Sequence, residues 1–292
     1  MPPGRRDRLL DFVASRAWFI SRLFLGLGVA ICAYYWFLLT TDTGAPVDVH
    51  AYWVANPDDL YPAASDPLSK DAYLYAPPFE ILVGWGRHLE FEVFTAIWRA
   101  LLLVTLVWLA GPLVGFVIFL FPVASEVNAG NIQILLAATI VLSFRGGAWP
   151  ATWAFVLLTK VTPGVALLWF VVRREWRALV MAIGATLAIA AVTFVVWPDR
   201  WLTWLRLLVD GGEPAPLSPF YLPFWPRFLA AGVVVAIGAW RGWRWPVVVG
   251  ATLALPAFYT ISPSMLVGVL PFARAAASRW ATRRREMVAA RG

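Results

Sequence analysis

Histidine, cysteine and charge are all scarce in this chain. Its 292 residues include two histidines and one cysteine, and Asp, Glu, Lys and Arg together make up only 14%. One cysteine, Cys32, builds no disulfide framework. Two separated histidines, His50 and His88, give no Cys/His cluster of the kind that holds structural zinc. A P-loop, a dinucleotide fingerprint and an HExxH pair are also missing, so soluble-nucleotide and zinc-protease chemistry have no support. No metal site is expected, although a lone carboxylate helping to hold a divalent ion is left open. No internal repeat is visible.

What fills the chain is apolar: hydrophobic residues make up 61%, and the mean hydropathy is +0.71. A soluble domain is about half apolar and a quarter charged. The apolar stretches are continuous, whereas barrel strands alternate inward and outward residues. The expected class is therefore all-α: a polytopic helical membrane protein forming one integral membrane domain over residues 1–292. At about 20 residues per crossing, the spans read as 18–40, 74–88, 92–110, 112–125, 130–145, 149–171, 178–197, 225–240, 246–260 and 263–278, ten in all. The segment 18–40 is too long for a cleaved leader and lacks a small-residue cleavage site, so it reads as a retained span.

Charge is distributed unevenly. Residues 1–22 hold five arginines against two aspartates, and residues 274–292 hold six arginines against one glutamate. The 41–75 loop reverses this, with Asp42, Asp48, Asp58, Asp59, Asp66 and Asp71 against Lys70. Basic loops stay cytoplasmic. Both termini are therefore expected on the cytoplasmic side of the plasma membrane and the acidic loop outside. The arginines flank spans and form no patch for nucleic acid; their expected partners are membrane lipids. Arg206 and Arg227 fall outside, against the rule, as do Arg145 and Arg200. These four are candidates for holding an anionic headgroup. Residues 199–209 place Trp201, Trp204, Leu205 and Leu208 at helical spacing, which predicts an interfacial helix followed by a loop to residue 222.

Few residues can carry chemistry. Asp48 follows the first span closely, where a carboxylate can accept a proton from an attacking hydroxyl. His50 shares a face with Asp48 if the segment is extended and is a candidate assistant. Tyr52 and Tyr75 are aromatic candidates for substrate contact in the same loop. Glu80 lies within the second expected span, where buried carboxylates are costly; substrate contact and a structural pairing are both open. In Ser125–Gln133, amides and an acid enter a membrane region, either to satisfy a broken helix junction or, through Asn131 and Gln133, to touch substrate. Lys160 lies mid-span at a cost of about 2.5–3.5 kcal/mol on insertion scales. It either neutralises a phosphate or pairs with Glu126 or Glu80.

Taken in order, Asp48, then LYAPPFE (74–80), GNIQ (130–133), LTKVTP (158–163) and the basic RREWR (173–177) resemble glycosyltransferase family 87. The resemblance implies a multi-spanning enzyme of the GT-C type that uses a polyprenyl-phosphate sugar, typically mannose. It places Asp48 at the catalytic base. It matches Tyr75, Pro77 and Pro78 to a YPP-type motif, Gly130, Asn131 and Gln133 to a Gly-Gln/Asn motif, and Lys160 with Pro163 to a Lys-x-x-Pro motif. The expectation is an inverting hexosyltransferase at the outer face. It takes a lipid-linked donor and a glycolipid or glycan acceptor, and needs no cofactor. A lipid-linked sugar carrier or flippase, and a non-catalytic subunit of a larger transferase, are the alternatives.

Overall fold

A computed structural model of the chain describes residues 5–41, 47–61, 71–210 and 223–289. Asp42, Asp66, Lys70 and the loop 211–222 lie outside the described residues, as do the side chains of the first fifteen residues and of Arg283, Arg284 and Arg285. Among the described residues the regular structure is helical, apart from one isolated bridge between Asn56 and Asp59.

The chain opens with α1 (Arg5–Thr41) and a short α2 (Val47–Val54). After the acidic loop come α3 (Pro77–Val83), α4 (Phe91–Ala110) and α5 (Val114–Val117). Then follow α6 (Phe121–Ala129), α7 (Gln133–Ser143), α8 (Trp153–Thr159) and α9 (Leu168–Val172). The last third holds α10 (Trp176–Val196), α11 (Pro198–Asp210), α12 (Phe224–Arg241), α13 (Trp245–Leu253) and α14 (Val269–Ala289).

The protein is a helical membrane protein, but its path differs from ten straight crossings. Among the described residues three helices are long and apolar enough to span: Arg16–Thr41, Phe91–Val117 and Trp176–Val196. Their outer faces carry exposed apolar side chains such as Trp18, Leu23, Val104, Val180 and Val195, as lipid contact requires. The pair α6 and α7, which meet at a bend of 105°, is a fourth candidate by length and composition. The expected spans 92–110 and 112–125 do not stand as two crossings, because Gly111–Leu113 continues α4 as a tight 3-10 turn into α5. Elsewhere proline is the cause. A proline lacks the N–H that a helix interior needs and clashes with the preceding turn. Pro77 and Pro78 start α3, Pro122 starts α6, and Pro163 lies in the 3-10 turn that separates α8 from α9. The segment expected at 149–171 thus becomes two short apolar helices with Lys160 in the break.

The helix expected at 199–209 is α11, but its tryptophans face the protein. Trp201 donates to the Thr193 hydroxyl at 3.1 Å, and Trp204 donates to the Leu74 carbonyl at 3.2 Å. Both rings are buried, while Leu205 and Leu208 are exposed.

Candidate functional site

The site is built on the break between α6 and α7. Gly130 ends α6 in the left-handed conformation, with φ 74°. Only glycine adopts this freely. A Cβ at Gly130 would collide with the Val49 side chain of α2. That close approach seats α2 directly on the break, with Val49 fully buried. Two further side chains hold the break. The Trp98 indole donates to the Gly130 carbonyl at 2.7 Å. Arg99, buried in α4, donates to the Leu39 carbonyl at 2.7 Å and to the Asn128 side chain at 2.9 Å.

Asp48 sits in the first turn of α2, half-buried, and its carboxyl accepts a hydrogen bond from the Asn131 side chain. Burial raises its pKa above the ordinary aspartate value, and the Lys160 charge and the Asn131 bond pull it back down. Lys160 follows α8 in an extended conformation (φ −142°, ψ 102°) and feels the charges of both Glu126 and Asp48. Glu126 is fully buried. Its Oε1 accepts from the backbone N–H groups of Gln133 at 2.5 Å and Ile134 at 3.3 Å, closing the first turn of α7.

Tyrosines wall one side. Tyr52 and Tyr75 share a hydroxyl–hydroxyl hydrogen bond at 3.0 Å. Tyr61 donates to the Tyr75 carbonyl at 2.9 Å, and the Tyr75 ring packs on Phe79 at 4.6 Å. Burial, then the neighbouring Tyr75 and Asp48, push the Tyr52 phenol well above its usual pKa, so it stays a neutral donor. The Ala76 N–H donates to the Leu158 carbonyl at 3.2 Å, which ties this wall to the end of α8 and so to Lys160.

Of the residues singled out in the sequence, Asp48, Tyr52, Tyr75, Asn131, Gln133 and Lys160 thus gather around one helix break. Four do not. The segment holding Asp48 and His50 is helical, and residues two apart on a helix do not share a face. His50 instead meets the Asp71 carboxylate at 2.5 Å and packs edge-on against Phe91. Glu80 is occupied by an ion pair with Arg87, which also removes it as a partner for Lys160. Arg206 is exposed on α11. Arg227 is buried and donates to the Leu253 carbonyl at 2.6 Å and the Leu255 carbonyl at 2.9 Å, capping the end of α13. Two groups beside Asp48 went unselected in the sequence. Glu126 read as a junction residue, though an acid in an apolar run was the available signal. Tyr259, half-buried and near enough to feel the Asp48 charge, has no local signal at all.

Helices broken around a carboxylate, a lysine and a second carboxylate define a polytopic membrane protein with a polar interior site. The chain belongs to glycosyltransferase family 87, whose family model matches residues 73–291. Within that stretch lie Tyr75, Glu126, Asn131, Gln133 and Lys160; Asp48 precedes it. The chain is also similar to the polyprenol-phosphate-mannose-dependent alpha-(1-2)-phosphatidylinositol mannoside mannosyltransferase of Mycobacterium tuberculosis (strain ATCC 25618 / H37Rv). The two are 32% identical over 107 residues, which covers 35% of this chain. The match spans only a quarter of that relative's length. No solved structure matches the chain significantly.

Proposed function

We propose that the protein is an inverting membrane glycosyltransferase that moves a sugar, mannose by its likeness to the mycobacterial enzyme, from a polyprenyl-phosphate donor to a lipid or glycan acceptor. The observation that carries this reading is Asp48: a half-buried carboxyl with a raised pKa, oriented by Asn131 and lying in the field of Lys160. A base needs such a setting to hold a proton taken near neutral pH. The acceptor hydroxyl attacks the anomeric carbon, its proton passes to Asp48, and the bond from that carbon to the phosphate oxygen breaks. The leaving group is a lipid phosphate, which departs without general acid. Lys160 stabilises the negative charge that develops on it. Tyr52 and Tyr75 border the sugar. The distribution of arginines supports a plasma-membrane protein with cytoplasmic termini and the site toward the outer face.

The test incubates the purified full chain with labelled polyprenyl-phosphate mannose and a membrane lipid extract, and looks for a heavier labelled glycolipid. Asp48→Asn should abolish product while expression and thermal unfolding stay normal. Undiminished transfer by that variant removes the proposed base.

A further inference from the structure

A second polar cluster lies at the far end of α7, about 16 Å along the helix axis from the break. Gly146 and Gly147 both take positive φ there and reverse the chain. The turn brings Trp149 back against Arg145. The Arg145 guanidinium lies 5.6 Å from the Trp149 ring and 5.3 Å from the Trp108 ring of α4. Arg274 of α14 donates to the Trp108 carbonyl at 3.4 Å. Arg244, just before α13, covers the Phe144 ring at 5.3 Å, and that ring meets Phe272 edge-on at 5.5 Å. Three arginines far apart in sequence are thus joined through Trp108 and the adjacent residues Phe144 and Arg145.

Protein carboxylates do not neutralise them. Among the described residues, none of Arg145, Arg244 and Arg274 is in an ion pair. The Arg274 Nη1 is buried and has no hydrogen-bond partner among those residues. Arg145 and Arg244 are exposed, so both can reach a ligand. Their surroundings mark the edge of a bilayer. Trp108 and Trp149 beside Arg145, and Trp243 and Trp245 on either side of Arg244, are all exposed, and tryptophan collects at headgroup depth. Val104 and Leu101 share the Trp108 face of α4 and are exposed apolar side chains, as beside hydrocarbon.

We propose that Arg145 and Arg244, backed by Arg274, bind the phosphate of an anionic phospholipid whose acyl chains lie along α4. A guanidinium matches phosphate through paired N–H donors, and stacking on an aromatic face pre-orients it. Arg274 belongs to the basic C-terminal segment expected on the cytoplasmic side, so the lipid belongs to the cytoplasmic leaflet. Arg145, expected outside, joins that group. The inference is independent of the transfer reaction.

The experiment is native mass spectrometry of the full chain in detergent micelles with equimolar dioleoylphosphatidylglycerol and dioleoylphosphatidylcholine. Wild-type protein should retain phosphatidylglycerol in preference. Arg145→Gln and Arg244→Gln should each weaken that binding about fivefold, as for one cation at a lipid surface, and leave phosphatidylcholine unchanged. The double variant should show no preference. Both positions are exposed, so thermal unfolding should stay near wild type. Arg206→Gln removes the same charge from α11 and should keep the preference. Equal loss in Arg206→Gln, or an undiminished preference in the double variant, overturns the site. Displacement of the lipid by millimolar inorganic phosphate overturns the lipid as its occupant. Wild-type protein with no preference overturns the inference and leaves the transfer reading intact, whereas absence of sugar transfer leaves this site intact.

Discussion

Val49 occupies the space that a side chain on Gly130 would need. This contact is what lowers α2 onto the α6–α7 break and brings Asp48 to Asn131. Gly130→Ala should therefore fail twice: through the collision, and through strain at φ 74°. Backbone strain of that kind costs about 1–3 kcal/mol. The expected outcome is a lower unfolding temperature and loss of transfer. Val49→Ala in the same chain should restore stability in part only, because it relieves the collision and leaves the backbone strained. Full recovery in the double variant would mean that left-handed geometry is not needed at the break.

The acid limb of the pH–rate profile should report Asp48. Its pKa is raised by burial, and Lys160 and Asn131 both lower it. Activity requires the ionised carboxylate, so the limb should lie above the ordinary aspartate range. Asn131→Leu removes a bond to the charged form and should move the limb to higher pH. Lys160→Gln should move it the same way and should also reduce the maximal rate, since the charge on the departing phosphate loses its stabiliser. A limb that stays put in both variants would detach the profile from Asp48.

The polar residues of the site were legible in the sequence because each is expensive in an apolar chain. Asp48, Asn131 and Lys160 stand out for that reason, and their order along the chain carried the family resemblance. The path of the chain was not legible. Hydropathy measures how apolar a stretch is, not whether it runs straight, so segments interrupted by Pro122 or Pro163 read as whole crossings. The face of His50 was hidden for a related reason: whether residues 47–54 are extended or helical decides which neighbours share a side. Arg227 looked like a phosphate ligand because its charge was visible while the free carbonyls at the end of α13 were not.

Those carbonyls give a direct expectation. Arg227 binds the Leu253 and Leu255 carbonyls from a buried position. Arg227→Met should lower stability by about 2–4 kcal/mol, because buried acceptors lose charge-assisted bonds. Arg206→Met, at an exposed position on α11, should change stability by less than about 0.5 kcal/mol. Thermal unfolding of the purified chain in detergent separates the two. Equal losses in both variants would contradict the capping role.

His50 offers the sharpest contrast with Asp48, since the two lie only two positions apart. The α2 helix turns the two side chains to different faces, and His50 is engaged by Asp71 at 2.5 Å and by the Phe91 ring. His50→Gln keeps a polar group for Asp71 and should leave the acid limb where it is, with a rate within a few-fold of wild type. Asp48→Asn should be inactive under the same conditions. Asp71→Asn should match His50→Gln, because both disturb the same surface pair and neither reaches the helix break. A collapse of transfer in His50→Gln with unfolding unchanged would place the imidazole in the reaction after all, and would require α2 to turn when substrate binds.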